Sequence, residues 1–176
     1  LFAVLSEVPF DLMYGGTVFY PVHQNVIWTL LLGLLGIRLM EAARAKGKRW
    51  LYVLTCAAVV ELGFALGTLG MVDYYGAGVL TVFAFYFFRE RKWWCLLGQL
   101  AALYWLNVVV LGGQMYPVTL FGREIELCEQ GLALLALVPI WLYRGRQGHH
   151  SKAFQYACYA FYPAHMLVLA LLTMIQ

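Results

Sequence analysis

LYVLTCAAVVELGFALGTLG occupies residues 51–70, and its twenty positions hold one charge, Glu61. About 20 consecutive apolar residues is the length a helix needs to cross the ~30 Å hydrocarbon core of a bilayer. The run is continuous, not alternating, so a strand is the poorer reading. Residues 25–41, 75–89, 93–112, 124–143 and 153–175 repeat the pattern, with 75–89 the shortest. Ahead of them, Leu1-Phe2-Ala3-Val4-Leu5-Ser6 opens in mid-run, with no initiator Met and no basic segment of a signal peptide. It reads as the last part of a further helix. The expectation is an all-α integral membrane protein. Its architecture is a polytopic bundle of about six full transmembrane helices plus an N-terminal partial one, in one domain over 1–176 that is a fragment of a longer protein.

Composition agrees. Of 176 residues, 63% are hydrophobic and 12% charged, and mean hydropathy is +0.74. A soluble domain carries about 25% charged residues, so this chain has too little polar surface for water. Charge placement then orients it. Arg44, Lys46, Lys48 and Arg49 share one loop; Arg89, Arg91 and Lys92 share the next but one; Arg144, Arg146 and Lys152 share the next but one again. Ten of the twelve Lys and Arg residues thus lie in alternate loops, and the positive-inside rule makes those loops cytoplasmic. Arg38 leads into the first of them and Arg123 alone falls on the other side. The same rule explains the basic residues without a nucleic acid, and none is expected as a partner.

The opposite side gathers acids, amides and aromatics. It holds residues 7–25, from Glu7 through Asp11 to His23, Gln24 and Asn25, then the turn 71–76 with Asp73, then 113–124. Polar residues also enter the spans, where an ionisable group costs several kcal/mol unless paired or wet. Glu61 is mid-span. Glu126, Glu129 and Gln130 stand at i, i+3 and i+4, on one helical face. Gln155, Cys158, Tyr159, Tyr162 and His165 recur at similar steps, as do Asn25, Thr29, Gly33 and Gly36. These stripes suggest an interior polar cavity, although for Thr29, Gly33, Gly36 and the Gly63–Gly67 pair helix packing is the better reading. Cys56, Cys95, Cys128 and Cys158 sit in separate spans without CxxC spacing, and no metal site is expected. His149-His150 reads as a solvent-facing pair in a basic loop. No P-loop, dinucleotide fingerprint or nucleophile elbow is present.

Four blocks carry a resemblance. They are Ser6-Glu7-Val8-Pro9-Phe10-Asp11-Leu12; Gln24-Asn25-Val26 with Thr29-Leu30-Leu31-Leu32-Gly33; Asp73-Tyr74-Tyr75-Gly76-Ala77-Gly78-Val79; and Tyr159-Ala160-Phe161-Tyr162-Pro163-Ala164-His165-Met166. In order and spacing the chain resembles the TraX family, named for the F-type pilin acetylase of the bacterial inner membrane. The resemblance implies an acyltransferase moving an acetyl group from acetyl-CoA to an acceptor on the outer side. The acceptor it suggests is the amine of a peptide or pilin-like N-terminus, with a glycan hydroxyl as rival. It also implies that the family's first spans, and a histidine in them, are missing here.

Chemistry gives the residues roles. Acyl transfer needs a base, donors for the developing oxyanion and a dry site. A free imidazole changes charge near neutrality, which makes His165 the candidate base or relay. Glu7, Asp11 and Asp73 are placed to orient a base or hold a cationic amine. Gln24 and Asn25, at a helix start where negative charge is favoured, are candidate substrate ligands with Tyr162 and Glu61. The basic loops suit the phosphates of an acyl-CoA donor. Two other classes stay open: a proton-coupled transporter using Glu61, Glu126, Glu129 and His165, and a non-catalytic assembly subunit of a pilus or conjugation system.

Overall fold

A computed structural model describes every residue except Phe121, Arg144, Gln147, His149, His150 and Gln176. The histidine pair, Arg144 and the C-terminal residue therefore lie outside the described residues, as do the places expected for them. Among the described residues seven α-helices follow one another: α1 (Phe2–Gly15), α2 (Val26–Ala45), α3 (Arg49–Leu69), α4 (Tyr75–Phe87), α5 (Trp93–Tyr104), α6 (Leu137–Leu142) and α7 (Lys152–Ile175). A π-helical stretch, Trp105–Leu111, prolongs α5, and a 3-10 stretch, Glu129–Ala136, leads into α6.

Among the described residues, four helical segments are long and apolar enough to cross a membrane: Val26–Ala45, Arg49–Leu69, Trp93–Leu111 and Lys152–Thr173. The all-α membrane class is borne out, and the count of six full spans is not confirmed. Helix α4 has 13 residues, about 20 Å at 1.5 Å per residue, short of the hydrocarbon thickness. The fifth expected span, 124–143, breaks in two. Its first part is strand β2 (Arg123–Cys128), paired antiparallel with β1 (Met115–Leu120) from Met115 opposite Cys128 to Leu120 opposite Arg123. Only Glu129–Leu142 is helical. Glu126 therefore sits exposed on a strand and shares no helical face with Glu129 and Gln130. The cause is legible in the residues. Glu124-Ile125-Glu126-Leu127 alternates polar and apolar side chains, the period of a strand, and Gly122 at φ +76 turns the hairpin.

Helices α2, α3 and α4 pack around Met40, Val59, Val79 and Phe83, all buried. Small residues set the spacing. A Cβ on Gly67 would stand 2.9 Å from the Tyr75 carbonyl oxygen and 3.0 Å from the Gly76 Cα. Gly33 and Gly36 meet Val82, Phe83 and Val59 in the same way. Without Cβ atoms, the backbones approach as lipid-embedded helices require. Helix α7 lies along α1.

The loops collect at two ends. At one, Glu41 accepts from the Tyr86 hydroxyl at 2.7 Å and stands 3.4 Å from Arg89 and 3.6 Å from Arg44. Arg91 reaches the Trp141 carbonyl at 3.4 Å, so the basic loops share this end. At the other, the Gln24 N–H donates to the Met71 carbonyl at 2.9 Å and ties the loop after α1 to the α3–α4 turn.

Candidate functional site

Glu7 and Asp11 stand four residues apart on α1, one helical turn, and not in a loop as the sequence suggested. Both turn inward. Glu7 accepts from the Trp28 indole N–H at 2.8 Å, from the Asn25 backbone N–H at 3.3 Å and from the Asn25 side-chain amide. Asp11 is 2% exposed. Its Oδ2 accepts from the Tyr20 N–H at 3.0 Å, while its Oδ1 is buried without a partner. The Ser6 hydroxyl, a turn before Phe10, is buried and equally unpartnered.

Asn25 is the N-cap of α2. Its Oδ1 accepts from the Ile27 N–H at 3.0 Å, and its amide donates to the Ala3 carbonyl at 2.8 Å as well as to Glu7. The side chain is fully buried. Its donors are therefore engaged in holding α1 against α2 and are not free for a substrate. Gln24 is also occupied locally, its amide donating to the Pro21 carbonyl at 3.1 Å.

His23 completes the cluster. It is 8% exposed, with Nε2 3.3 Å from Asp73 Oδ1. The ring stacks on Phe10 at 5.7 Å and Tyr14 at 4.7 Å between centroids and meets Tyr75 edge-on at 5.8 Å. The aromatics fix the imidazole plane and exclude water, and the carboxylate fixes its rotation. Burial pushes the Asp73 carboxyl above its ordinary value of 3.8, and His23 pulls it partly back. The Asp73 backbone is held too, its carbonyl accepting from the Thr29 hydroxyl at 2.7 Å. Around it Met71, Tyr74 and Tyr75 take φ values of 50, 60 and 50°. Three non-glycine residues in the left-handed region each cost on the order of 1 kcal/mol, a strain that persists only where the surroundings impose it. The Gln24–Val72 bridge is one such restraint.

Tyr162 enters from α7. Its hydroxyl is buried and unpartnered, with the Glu7 and Asp73 carboxyls near by. Glu7, Asp11, Asn25, Asp73 and Tyr162 are thus brought together at one end of the bundle. His165 stands beside this group, not in it. Its Nδ1 lies 3.0 Å from the Phe161 carbonyl oxygen of its own helix, and the ring stacks on Phe161 and meets Tyr162 edge-on. Glu61 is elsewhere, exposed on α3, and is not a substrate ligand of this cluster. His23, read from the sequence only as part of a loop, takes the place expected of His165. Its partner lies 50 residues away in the chain, and no local spacing announces such a pair. Among the described residues no three His, Cys, Asp or Glu side chains stand close enough to hold a metal ion.

A family model described as TraX protein matches residues 1–173, and the chain belongs to that family. No curated protein and no solved structure matches it.

Proposed function

We propose that this member of the TraX family is a membrane-bound acyltransferase of the bacterial inner membrane, with His23 and Asp73 as its reacting pair. The role in pilin processing or conjugation that the family implies would be the modification of a peptide amine, with a glycan hydroxyl as the rival acceptor. One observation carries the reading: a buried imidazole is fixed by a carboxylate at 3.3 Å, among buried oxygens that have no partner. Leaving the Ser6 and Tyr162 hydroxyls and one Asp11 oxygen buried without a partner costs about 1–3 kcal/mol each, more than packing alone calls for.

The chemistry follows from the geometry. With Nε2 turned to Asp73, the other imidazole nitrogen is the one left to take a proton. It removes that proton from the acceptor amine or hydroxyl as the acceptor N or O attacks the thioester carbonyl of acetyl-CoA. The buried Tyr162 hydroxyl, without a partner of its own, is a candidate donor to the developing oxyanion. The C–S bond then breaks, and the imidazolium returns its proton to the CoA sulfur. The carboxylates of Glu7 and Asp11 suit a cationic amine awaiting deprotonation. At the other end, a cavity of about 210 Å³ lined by Arg44, Gly47, Lys48, Arg49 and Tyr52 has the charge an anionic donor needs.

The test is acetyl transfer from labelled acetyl-CoA by the full-length protein in nanodiscs, with a peptide carrying a free N-terminus and with a glycan. His23→Ala and Asp73→Asn should each lower transfer by a factor of about 10² or more, the usual weight of a general acid–base group. His165→Ala should cost much less. Full activity in His23→Ala would refute the assignment. Proton-coupled uptake of a solute, abolished by Glu61 substitution in a protein that turns over no thioester, would replace it with a transporter.

A further inference from the structure

The β1–β2 hairpin leaves the bundle where a span ends. The span Trp93–Leu111 starts beside a basic loop and finishes at the opposite, outer end, and Met115 opens β1 shortly after. The Glu129 N–H donates to the Gln114 carbonyl at 3.0 Å, and the Cys128 thiol donates to the Gly112 carbonyl at 3.3 Å. Those bonds clamp the base of the hairpin to the span end, at the level of the outer lipid headgroups. From Met115 to Thr119 and from Arg123 to Leu127 every residue is exposed.

The pairing sorts the side chains. Residues directly opposite in an antiparallel pair lie on one face, and the faces alternate along each strand. One face carries the pairs Thr119–Glu124 and Pro117–Glu126, with Met115–Cys128 at the base. The other carries Tyr116–Leu127 and Val118–Ile125, with Arg123 at the tip. Tyr116 is 46% exposed and Ile125 48%. A two-stranded hairpin is marginal in water on its own. One that also holds two apolar pairs open to solvent calls for a cover.

Charge says which cover. Both acids of the hairpin stand on one face, and Arg123 stands on the apolar one. Among the described residues no carboxylate pairs with Arg123. A tyrosine, an aliphatic centre and a guanidinium on one face match a lipid headgroup region: the ring sits at headgroup level, the apolar side chains meet the acyl chains, and the arginine snorkels to phosphate. A second copy meeting this face with its own would bring no acid to Arg123. A peptide carrying a free amine would choose the face with Glu124 and Glu126. The outer edges of the two strands keep unpaired backbone groups, which cannot enter hydrocarbon. The hairpin therefore lies on the interface and does not cross it.

We propose that the hairpin docks on the outer leaflet, with Tyr116, Val118, Ile125 and Leu127 against the upper acyl chains, Arg123 on a lipid phosphate, and Glu124 and Glu126 toward water. The assignment stands apart from acyl transfer and needs neither donor nor acceptor.

The experiment places a single fluorophore-bearing cysteine at Val118, Thr119, Ile125 or Glu126 of the full-length protein without its native cysteines. The nanodiscs hold phosphatidylglycerol and a phosphatidylcholine brominated near the carbonyl end of its acyl chains. Lipid bromine should quench emission at Val118 and Ile125, and a water-soluble quencher should act at Thr119 and Glu126. Ile125→Glu, read with the label at Val118, should move the ratio of docked to free hairpin by about tenfold or more toward free, the weight of one buried isoleucine side chain. Thr119→Gln, on the opposite face, should leave that ratio unchanged. Arg123→Glu should lower the lipid quenching at Val118 as well. Equal quenching at all four positions, from lipid or from water, overturns the docking. Protection of Val118 and Ile125 from both quenchers overturns it too, the apolar face then meeting protein. So does lipid quenching at Val118 that survives both Ile125→Glu and Arg123→Glu, because nearness to the bilayer alone then explains the signal.

Discussion

Replacing Asn25 tests whether α1 is held to α2 by the contacts that assemble the site. The side chain does two separable things. It caps α2 through the Ile27 N–H, and it donates across to Ala3 and Glu7 on α1. Loss of an N-cap costs about 1 kcal/mol. A buried acceptor left without its donor costs about 1–3 kcal/mol. The Ala3 carbonyl bears only part of that loss, since within α1 the Glu7 N–H one turn on is also its donor. Glu7 bears less too, because Trp28 and the Asn25 N–H still serve it. Asn25→Ala should therefore destabilise the protein by about 2–3 kcal/mol. Asn25→Ser keeps a capping oxygen but does not reach α1, so it should cost about 1 kcal/mol less. Asn25→Asp also keeps the cap but sets a carboxylate against Glu7, and should be the worst of the three at neutral pH. Reversible unfolding in mixed micelles of rising SDS fraction measures the differences. If Asn25→Ala and Asn25→Ser are equal, and both lie within about 0.5 kcal/mol of the parent, the side chain does not join the helices and the account of the cluster fails.

Three other expectations follow from named contacts. Gly67→Leu puts a side chain where even a Cβ would stand 2.9 Å from the Tyr75 carbonyl oxygen, so α3 and α4 should separate at a cost of about 1–3 kcal/mol or more, read in the same micelle titration; an unchanged midpoint would contradict the close approach. Burial raises the Asp73 carboxyl above 3.8, so between 3.8 and its folded value the folded state binds more protons than the unfolded one; stability should fall as pH rises through that window, and Asp73→Asn should remove that part of the slope in a series of melting curves. Single cysteines at Lys46 and Arg91 in a variant without the native cysteines should react with a membrane-impermeant maleimide only after the cells are opened, whereas one at Thr17 should react in intact cells; reaction at position 46 from outside would reverse the orientation drawn from the basic loops.

The sequence made the membrane character plain because that character is additive: every apolar residue contributes, and a few misread positions change nothing. The α2–α3–α4 seam was readable for a similar reason, since Thr29, Gly33, Gly36, Gly63 and Gly67 fall at helical spacing and small residues there have one common use. The hairpin was lost to averaging. Over 124–143 the apolar total resembles a span, while the alternation in 124–127 is only four residues long. The continuation of α1 beyond Ser6 was hidden by its own chemistry. Glu7, Pro9 and Asp11 look like loop residues, and α1 accommodates Pro9 within it. What makes the two acids tolerable is the company they meet after folding, Asn25 and Trp28 for Glu7 and the Tyr20 N–H for Asp11.

The candidate site was legible by half for the same reason. Glu7, Asp11, Asn25 and Asp73 were suspected singly, because acids and amides beside apolar spans are costly wherever they stand. Their grouping depends on two contacts that no sequence window contains, the Gln24–Met71 backbone bond and the stacking of His23 on Phe10. Those contacts also set the two histidines in different surroundings. His165 lies at a position where a helix can spend its ring on its own carbonyl, whereas the carboxylate of Asp73 meets His23. His23 follows Pro21 in a connecting loop between α1 and α2, outside any helix, so no carbonyl one turn back competes for its ring. Asp73 is presented by a turn in which three residues are held against their backbone preference. The strain lies beside the one buried acid–imidazole contact among the described residues, and it goes with a turn shaped to present that carboxylate more than to join two helices.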